Sequence, residues 1–262
     1  MSAAPEEVEP ILRARITEAM FPLSNLRRYG AEGHPRSMRF WRSGDAVLGL
    51  SAEGVAFPLF PDGFDARPSR ELLARIRLRG LIGPEASVAA LVKALSLRVA
   101  LREPEPQFTL SLTDLVCAEG EGELVPLQDH VSLAAAWRQA FQTELNVPAD
   151  PPAEVQVAQW CAEDTHRLWC VGGVPVALTG VNASLPEIVQ VGAVYVPNER
   201  RGMGYARQAV GAHLSVLRDA GVRHATLCAA SVAAARSYMA LGFRRIGCYS
   251  TTVFPTPVEV AP

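Results

Sequence analysis

Apolar positions near the N-terminus recur at helical spacing: Ile11, Leu12, Ile16, Ala19 and Met20 share one side, and Pro22 interrupts them. The period then shortens. Segments 38–44 (MRFWRSG) and 46–60 (AVLGLSAEGVAFPLF) predict short strands joined by turns at Gly44-Asp45 and Glu53-Gly54. A Pro- and Gly-rich loop runs from Pro61 to Pro68, and residues 70–79 fit either a helix or a buried strand. Leu81 to Pro84 predicts a strand ending in a turn, and Val88, Leu91, Val92 and Leu95 predict a helix through Leu97.

Two segments look like boundaries, REPEPQ at 102–107 and AEGEGE at 118–123, with the strand-like FTLSLTDLV between them. The division is expected at the second, giving one domain over 1–118 and another over 119–262. There the pattern restarts: a strand over 124–127, a helix over 129–145 with Leu133, Trp137 and Phe141 on one face, and a second helix over 155–162. Three strand-like runs follow at 167–171, 175–182 and 188–196, close enough to form an antiparallel meander. A helix over 203–220 stops at Gly221. A strand over 222–228 and a helix over 232–241 come next, the helix capped by Ser231 and Gly242, then closing strands at 243–247 and 249–254. Strand, helix, strand, helix, strand implies a partly parallel sheet with crossover helices, an α/β (α+β) fold.

Composition narrows the function classes. The 262 residues carry 25 basic and 27 acidic side chains, a net charge of −2, so no general electrostatic case exists for nucleic acid or an anionic membrane. Five cysteines without C-x-x-C spacing read as small buried hydrophobes, with no structural metal site. The acidic, proline-broken start MSAAPEEVEP does not read as a signal peptide, and no apolar run reaches the length of a membrane span. A cytoplasmic protein is expected.

The junction VGAVYVPNERRGMGYARQAV, residues 191–210, carries the chemistry. A strand meets Pro197, a polar turn follows, and a helix opens at glycines. Gly202 and Gly204 leave backbone N–H groups uncovered, and a helix N-terminus adds unsatisfied donors and partial positive charge. Together they suit phosphate or pyrophosphate, with Arg200 and Arg201 beside them. The P-loop pattern is absent. So is G-x-G-x-x-G, because Tyr205, Ala206 and Arg207 follow Gly204.

Arg201, Gly204 and Ala206 instead satisfy [QR]-x-x-G-x-[GA], and here the chain resembles the GNAT superfamily of acyl-CoA-dependent N-acyltransferases. The segment SVAAARSYMALGF, 231–243, is similar to a second family pattern through Ala234 or Ala235, Tyr238, Gly242 and Phe243, with Ser231 where relatives often carry Asn. The resemblance covers Leu124 to Phe254. It implies the GNAT-type fold, a mixed sheet flanked by helices, with the N-terminal half looking like a worn tandem copy. It implies acetyl-CoA as cosubstrate, held by Val194, Tyr195 and Val196 on the strand and by Arg201, Gly202, Met203, Gly204, Tyr205 and Ala206 at the turn. Ser231 and Ala234 complete that set. It also implies direct transfer to an amine, with Tyr238 as general acid. A phenol with an ordinary pKa near ~10 is protonated at neutral pH and can donate.

No residue type singles out the general base. Glu187, at the start of the strand leading to Val196, is the leading candidate, with Glu144 and Asn182 behind it. The expected acceptor is a small-molecule or peptide amine, and the expected state a monomer or homodimer. Two rivals stand: a non-catalytic acyl-CoA sensor or scaffold, and an NAD-dependent enzyme, which the lack of a suitable acidic residue after the glycine turn disfavours.

Overall fold

The computed structural model describes residues 2–117, 120–147 and 151–261. The chain divides into two compact units, Met1–Glu105 with Gly247–Pro262, and Pro106–Ile246. The expected boundary at 118/119 lies outside the described residues, and the division falls inside REPEPQ instead. The reason is pairing. The strand read in FTLSLTDLV aligns antiparallel with 224–228, Phe108 opposite Leu227, and so belongs to the second unit.

The first unit contains β1 (Ser2–Ala3), α1 (Pro5–Ala14), α2 (Met20–Tyr29), β2 (Met38–Ser43), β3 (Ala46–Ser51) and β4 (Val55–Leu59). Then come α3 (Ser69–Leu73), β5 (Arg77–Pro84) and α4 (Glu85–Leu95). Pro22 does not interrupt: it sits in the first turn of α2, where a missing N–H costs nothing. The undecided stretch 70–79 is both things in turn, the end of α3 and the start of β5. Strands β2 to β4 are antiparallel, while β4 and β5 run parallel with Ala56 opposite Leu81. Leu50, Ala56, Leu73, Leu78, Leu81, Val88 and Leu91 form the core.

The second unit contains β6 (Glu105–Ser111), β7 (Gly122–Pro126), α5 (Val131–Glu144), α6 (Ala153–Glu163), β8 (His166–Val171) and β9 (Val174–Ser184). It continues with β10 (Ile188–Tyr195), α7 (Tyr205–Asp219), β11 (His224–Cys228) and α8 (Val232–Met239). Its strand order is β6-β11-β10-β9-β8-β7. Strands β7 to β10 form the expected antiparallel meander, and β10 and β11 are parallel with α7 as the crossover. Val189, Val191, Val210, Leu214, Ala225 and Leu227 pack on the α7 and α8 side; Leu168, Cys170 and Leu178 pack under α5 and α6.

The two closing strands expected at 243–254 are a single strand, β12 (Arg244–Glu259). Gly247 does not adopt positive φ, so nothing turns the chain there. Residues 244–246 belong to the second unit and 247–259 to the first, where they pair antiparallel with β5.

Both units thus share one plan, a meander leading into a parallel strand pair with a helical crossover. They differ at the parallel pair. In the first unit, Phe60 N–H donates to the Ser87 hydroxyl at 3.0 Å just past β4, and a Cβ on Gly83 would lie 2.7 Å from the Pro58 carbonyl oxygen. Strands β4 and β5 therefore stay in contact beyond their ladder. In the second unit the corresponding strands separate.

Candidate active site

The separation begins with β10. Its ladder with β11 runs from Ile188↔His224 to Val191↔Leu227 and stops, though β10 continues to Tyr195. On its other edge the pairing to β9 shifts register between Gly192 and Tyr195, the mark of a bulge. Ala193 supplies the kink with φ of 53°, a left-handed conformation that alanine adopts at a cost. Residues 192–195 thereby turn one edge toward no strand among the described residues, leaving backbone groups available to an extended ligand.

The chain then enters the glycine turn. Gly202 and Gly204 both have φ of 80°, and Gly204 is the N-cap of α7 with no side-chain cap. The first helical bond shown is Gln208 N–H to the Gly204 carbonyl at 3.0 Å. The preceding first-turn amides are the orphan donors of a 15-residue helix, at its positive end. A Cβ on Gly202 would meet nothing within 4 Å, so the turn faces open space. Met203 is exposed, while Tyr205 and Ala206 pack inward beside Val196 and Ala209. An open strand edge and, one short turn later, an uncapped helix start fit a long ligand that ends in a pyrophosphate.

Charge here is distributed differently from expectation. Arg201 turns away from the glycines: its Nε donates to the Val196 carbonyl at 2.9 Å and its Nη2 pairs with both Glu144 carboxylate oxygens at 2.7 and 2.9 Å. The Tyr195 hydroxyl also donates to Glu144, at 3.4 Å, and Trp137 lies 6.1 Å from the Tyr195 ring. Burial, and then the Glu144 charge, push the Tyr195 phenol upward. Glu144 is thereby a clamp for the strand end. A cation does stand beside the cradle, Arg207, whose Nη2 lies 3.9 Å from where a Gly204 Cβ would stand. Its position three residues after Gly204 in the first helical turn was the available signal.

Tyr238 is buried on α8, edge-on to Phe243 at 6.0 Å, in a cluster that also takes in Val194. Tyr238 and Val194 thus share one core cluster of the second unit. Ser231 is committed elsewhere: its hydroxyl accepts from Ala234 N–H at 3.1 Å and caps α8. Glu187 lies at the opposite end of β10 from the bulge. Its carbonyl accepts from Arg223 and His224 N–H at 3.0 Å, at the far end of β10. Six extended residues, roughly 20 Å, separate it from the bulge at Ala193. Strand direction decides this, and a sequence position alone does not reveal it.

Gln190 escaped the sequence reading. It is buried on β10, on the same face as Gly192, and its Oε1 has no partner among the described residues. The Asn182 side chain occupies the space over Gly192. A lone Gln inside IVQVGAVYV was the signal, because a polar residue at a core position of a strand demands a reason. Among the described residues no group of His, Cys, Asp and Glu could hold a metal ion, and no helix is long and apolar enough to cross a membrane.

Comparison with known proteins bears on this arrangement. Residues 134–243 match the model of the acetyltransferase (GNAT) family. No curated protein matches the chain. Among solved structures, the chain is similar to a GCN5-related N-acetyltransferase from Kribbella flavida, with 19% identity, TM-score 0.62, and coverage of 92% of this chain and 95% of that one. A Drosophila protein aligns with TM-score 0.66 at 15% identity over 97% and 98% of the two chains. A tandem GNAT protein from the clavulanic acid biosynthesis pathway aligns with TM-score 0.50 at 14% identity, over 100% of this chain and 98% of that one. At these identities the likeness is one of fold, and it extends over both units.

Proposed function

We propose, from the premise that this chain belongs to the GNAT acetyltransferase family through residues 134–243, that it is an N-acetyltransferase moving an acetyl group from acetyl-CoA to a primary amine. One observation carries the reading: the open edge of β10 at 192–195 is followed, through a short turn at Asn198–Arg200 and the two glycines, by the uncapped start of α7. Bound acetyl-CoA would supply an activated acetyl thioester.

The residues present fit that cosubstrate. The edge at Val194–Val196 holds its extended arm, and the amides of Gly202 to Ala206 hold its pyrophosphate, with Arg207 as the adjacent cation. Arg201 acts indirectly by tying the strand end to Glu144. Ser231 and Ala234 shape the start of α8 and are not donors to the ligand. Tyr238 is the proton donor to the departing sulfur in this reading. Gln190 and Asn182 put amide groups beside the bulge, where an incoming amine can be oriented by hydrogen bonds. With Glu187 distant, the amine's proton passes to water.

Isothermal titration with acetyl-CoA, longer acyl-CoAs and NAD tests the reading. Micromolar acetyl-CoA binding with none for NAD is expected. Gly204→Val places a branched residue at φ of 80° and should reduce that affinity at least ~10-fold, since several charged hydrogen bonds to the pyrophosphate lose their alignment. Parental affinity in a folded Gly204→Val protein would move the cradle elsewhere. Binding without transfer to any amine would favour the sensor role.

A further inference from the structure

Strand register sets two glycines side by side at the head of the open edge, Gly180 of β9 opposite Gly192 of β10. Their missing side chains let two polar groups lie flat against the sheet. A Cβ on Gly180 would collide with the His166 ring, and one on Gly192 would collide with the Asn182 amide. His166 is itself the β8 partner of Gly180. A register shift between Gln190 and Val191 makes Asn182 the extra residue on β9. Gln190 stands two positions before Gly192, so its side chain leaves the same face of the strand. His166, Asn182 and Gln190 therefore border one patch of sheet.

Two of the three are buried with an open hydrogen-bonding atom. Gln190 is 8% exposed, and its Oε1 has no partner among the described residues. His166 is 1% exposed; its Nδ1 meets the Thr165 hydroxyl at 2.9 Å, and its Nε2 has no partner there either. Buried polar atoms are ordinarily paired, so two orphans around one glycine pair call for a ligand. Asn182 is exposed, which gives a ligand its approach. The patch is also uncharged. Thr226, the β11 partner of Gln190, is buried and donates to the Phe108 carbonyl at 2.9 Å, and Ala183 is the β9 partner. Burial chiefly, then His213, Arg138 and Arg167, keeps His166 deprotonated. In the acetyl-transfer reading the pyrophosphate sits on the glycine turn, so the arm runs back from Val196 toward Gly192. Its thioester end then reaches the bulge, beside this patch.

We propose that this patch binds the acceptor, and that the acceptor is an amine carrying an uncharged carboxamide close to its amino group. The inference rests on the acetyl-transfer reading and adds to it the substrate class. Gln190 Oε1 accepts one N–H of the amine, which leaves the nitrogen lone pair for the thioester carbon. A carboxamide both donates and accepts, so it satisfies His166 Nε2 in either tautomer while bonding the Asn182 amide. A carboxylate only accepts and a second ammonium only donates. Each also brings a charge that no group of the patch balances among the described residues.

The test compares glycinamide, glycine, propylamine and 1,3-diaminopropane as acceptors, each rate taken per unprotonated amine. It uses the intact protein, Asn182→Ala, Asn182→Asp and Gln190→Met. The intact protein is expected to favour glycinamide over the other three by about 10- to 100-fold in kcat/KM, the range of one or two buried hydrogen bonds. Asn182→Ala should lower the glycinamide value about 10-fold more than the propylamine value. Asn182→Asp should turn the preference toward 1,3-diaminopropane, whose second ammonium then meets a carboxylate; a merely structural residue would not redirect the choice. Gln190→Met should lower kcat/KM about 10-fold or more for every amine, with acetyl-CoA affinity within a few-fold of the parent. Thermal unfolding checks that each variant folds. Equal use of glycinamide and propylamine, or an Asn182→Ala loss equal on both, would overturn the proposal. A second readout needs no turnover: saturation-transfer NMR of N-acetylglycinamide with CoA present should show contact with the intact protein and weaker contact with Asn182→Ala. No contact, or equal contact, would also overturn it. Failure of acetyl-CoA to bind would instead count against the transfer reading, and the same NMR comparison without CoA would still decide the patch.

Discussion

At the scale of single residues, what a side chain does here depends on what it has already been given to do. Ser231 caps a helix, Arg201 holds Glu144, and Glu187 stands at the wrong end of its strand. The glycines at 202 and 204 are different, since positive φ was predictable from the motif and is observed. In the proposed reaction the chemistry turns on Tyr238. Tyr238→Phe keeps the ring against Phe243 and removes only the hydroxyl. Turnover should fall about 100-fold or more, the usual scale of general acid catalysis, with acetyl-CoA affinity within a few-fold of the parent. Steady-state kinetics alongside titration measures this, and undiminished turnover would remove Tyr238 from the mechanism. Gln190 was not legible in the same way. Its significance lies in a buried amide oxygen without a partner among the described residues, which depends on neighbours distant in sequence.

At the scale of elements, the decisive feature is the bulge in β10. Periodicity located the strand and its apolar alternation, Val189 and Val191 inward, but gave no sign that it departs from β11 after Val191. Ala193 has no chemical mark of positive φ. A left-handed conformation costs a non-glycine residue roughly 1–2 kcal/mol, and a β-branched residue more. Ala193→Gly should therefore leave stability within about 1 kcal/mol of the parent, the relieved strain being offset by glycine's entropy. Ala193→Val should destabilise the protein by about 1–3 kcal/mol and weaken acetyl-CoA binding, because the strand regains a regular path. Denaturant unfolding and titration read the two effects. A Val variant as stable and as tightly binding as the Gly variant would mean that the kink does not depend on residue 193. The fused strand β12 teaches the same lesson, since Gly247 suggested a turn that its extended backbone does not make.

At the scale of the whole molecule, two units follow one plan and differ where it matters. The first closes its parallel pair with Phe60 and Ser87; the second leaves it open. The second unit also buries two histidines whose titration shapes stability. Burial, with Arg167 as the next cause, lowers His213 from an ordinary 6.5 to about 4, and His166 moves the same way. Between those values the unfolded chain binds the proton and the folded one does not. The stabilisation is therefore complete above pH 6.5 and is lost as pH falls toward 4, by about 3 kcal/mol for His213. Trp137, Trp160 and Trp169 all lie in this unit, so tryptophan fluorescence during denaturation at pH 7 and pH 4.5 reports it. His213→Leu should flatten the dependence, and an unchanged slope would exonerate that histidine.

The sequence by itself determined the element types, the partly parallel sheet, the glycine cradle and the family resemblance, because these rest on local periodicity, backbone sterics and a contiguous motif. Only the tertiary structure decided where the units divide, that β10 leaves β11 after Val191, that Glu187 stands at the opposite end of β10 from the bulge, and that the Gln190 Oε1 is buried without a partner among the described residues. Those outcomes depend on strand pairing and burial among residues far apart along the chain, and a linear pattern does not contain them.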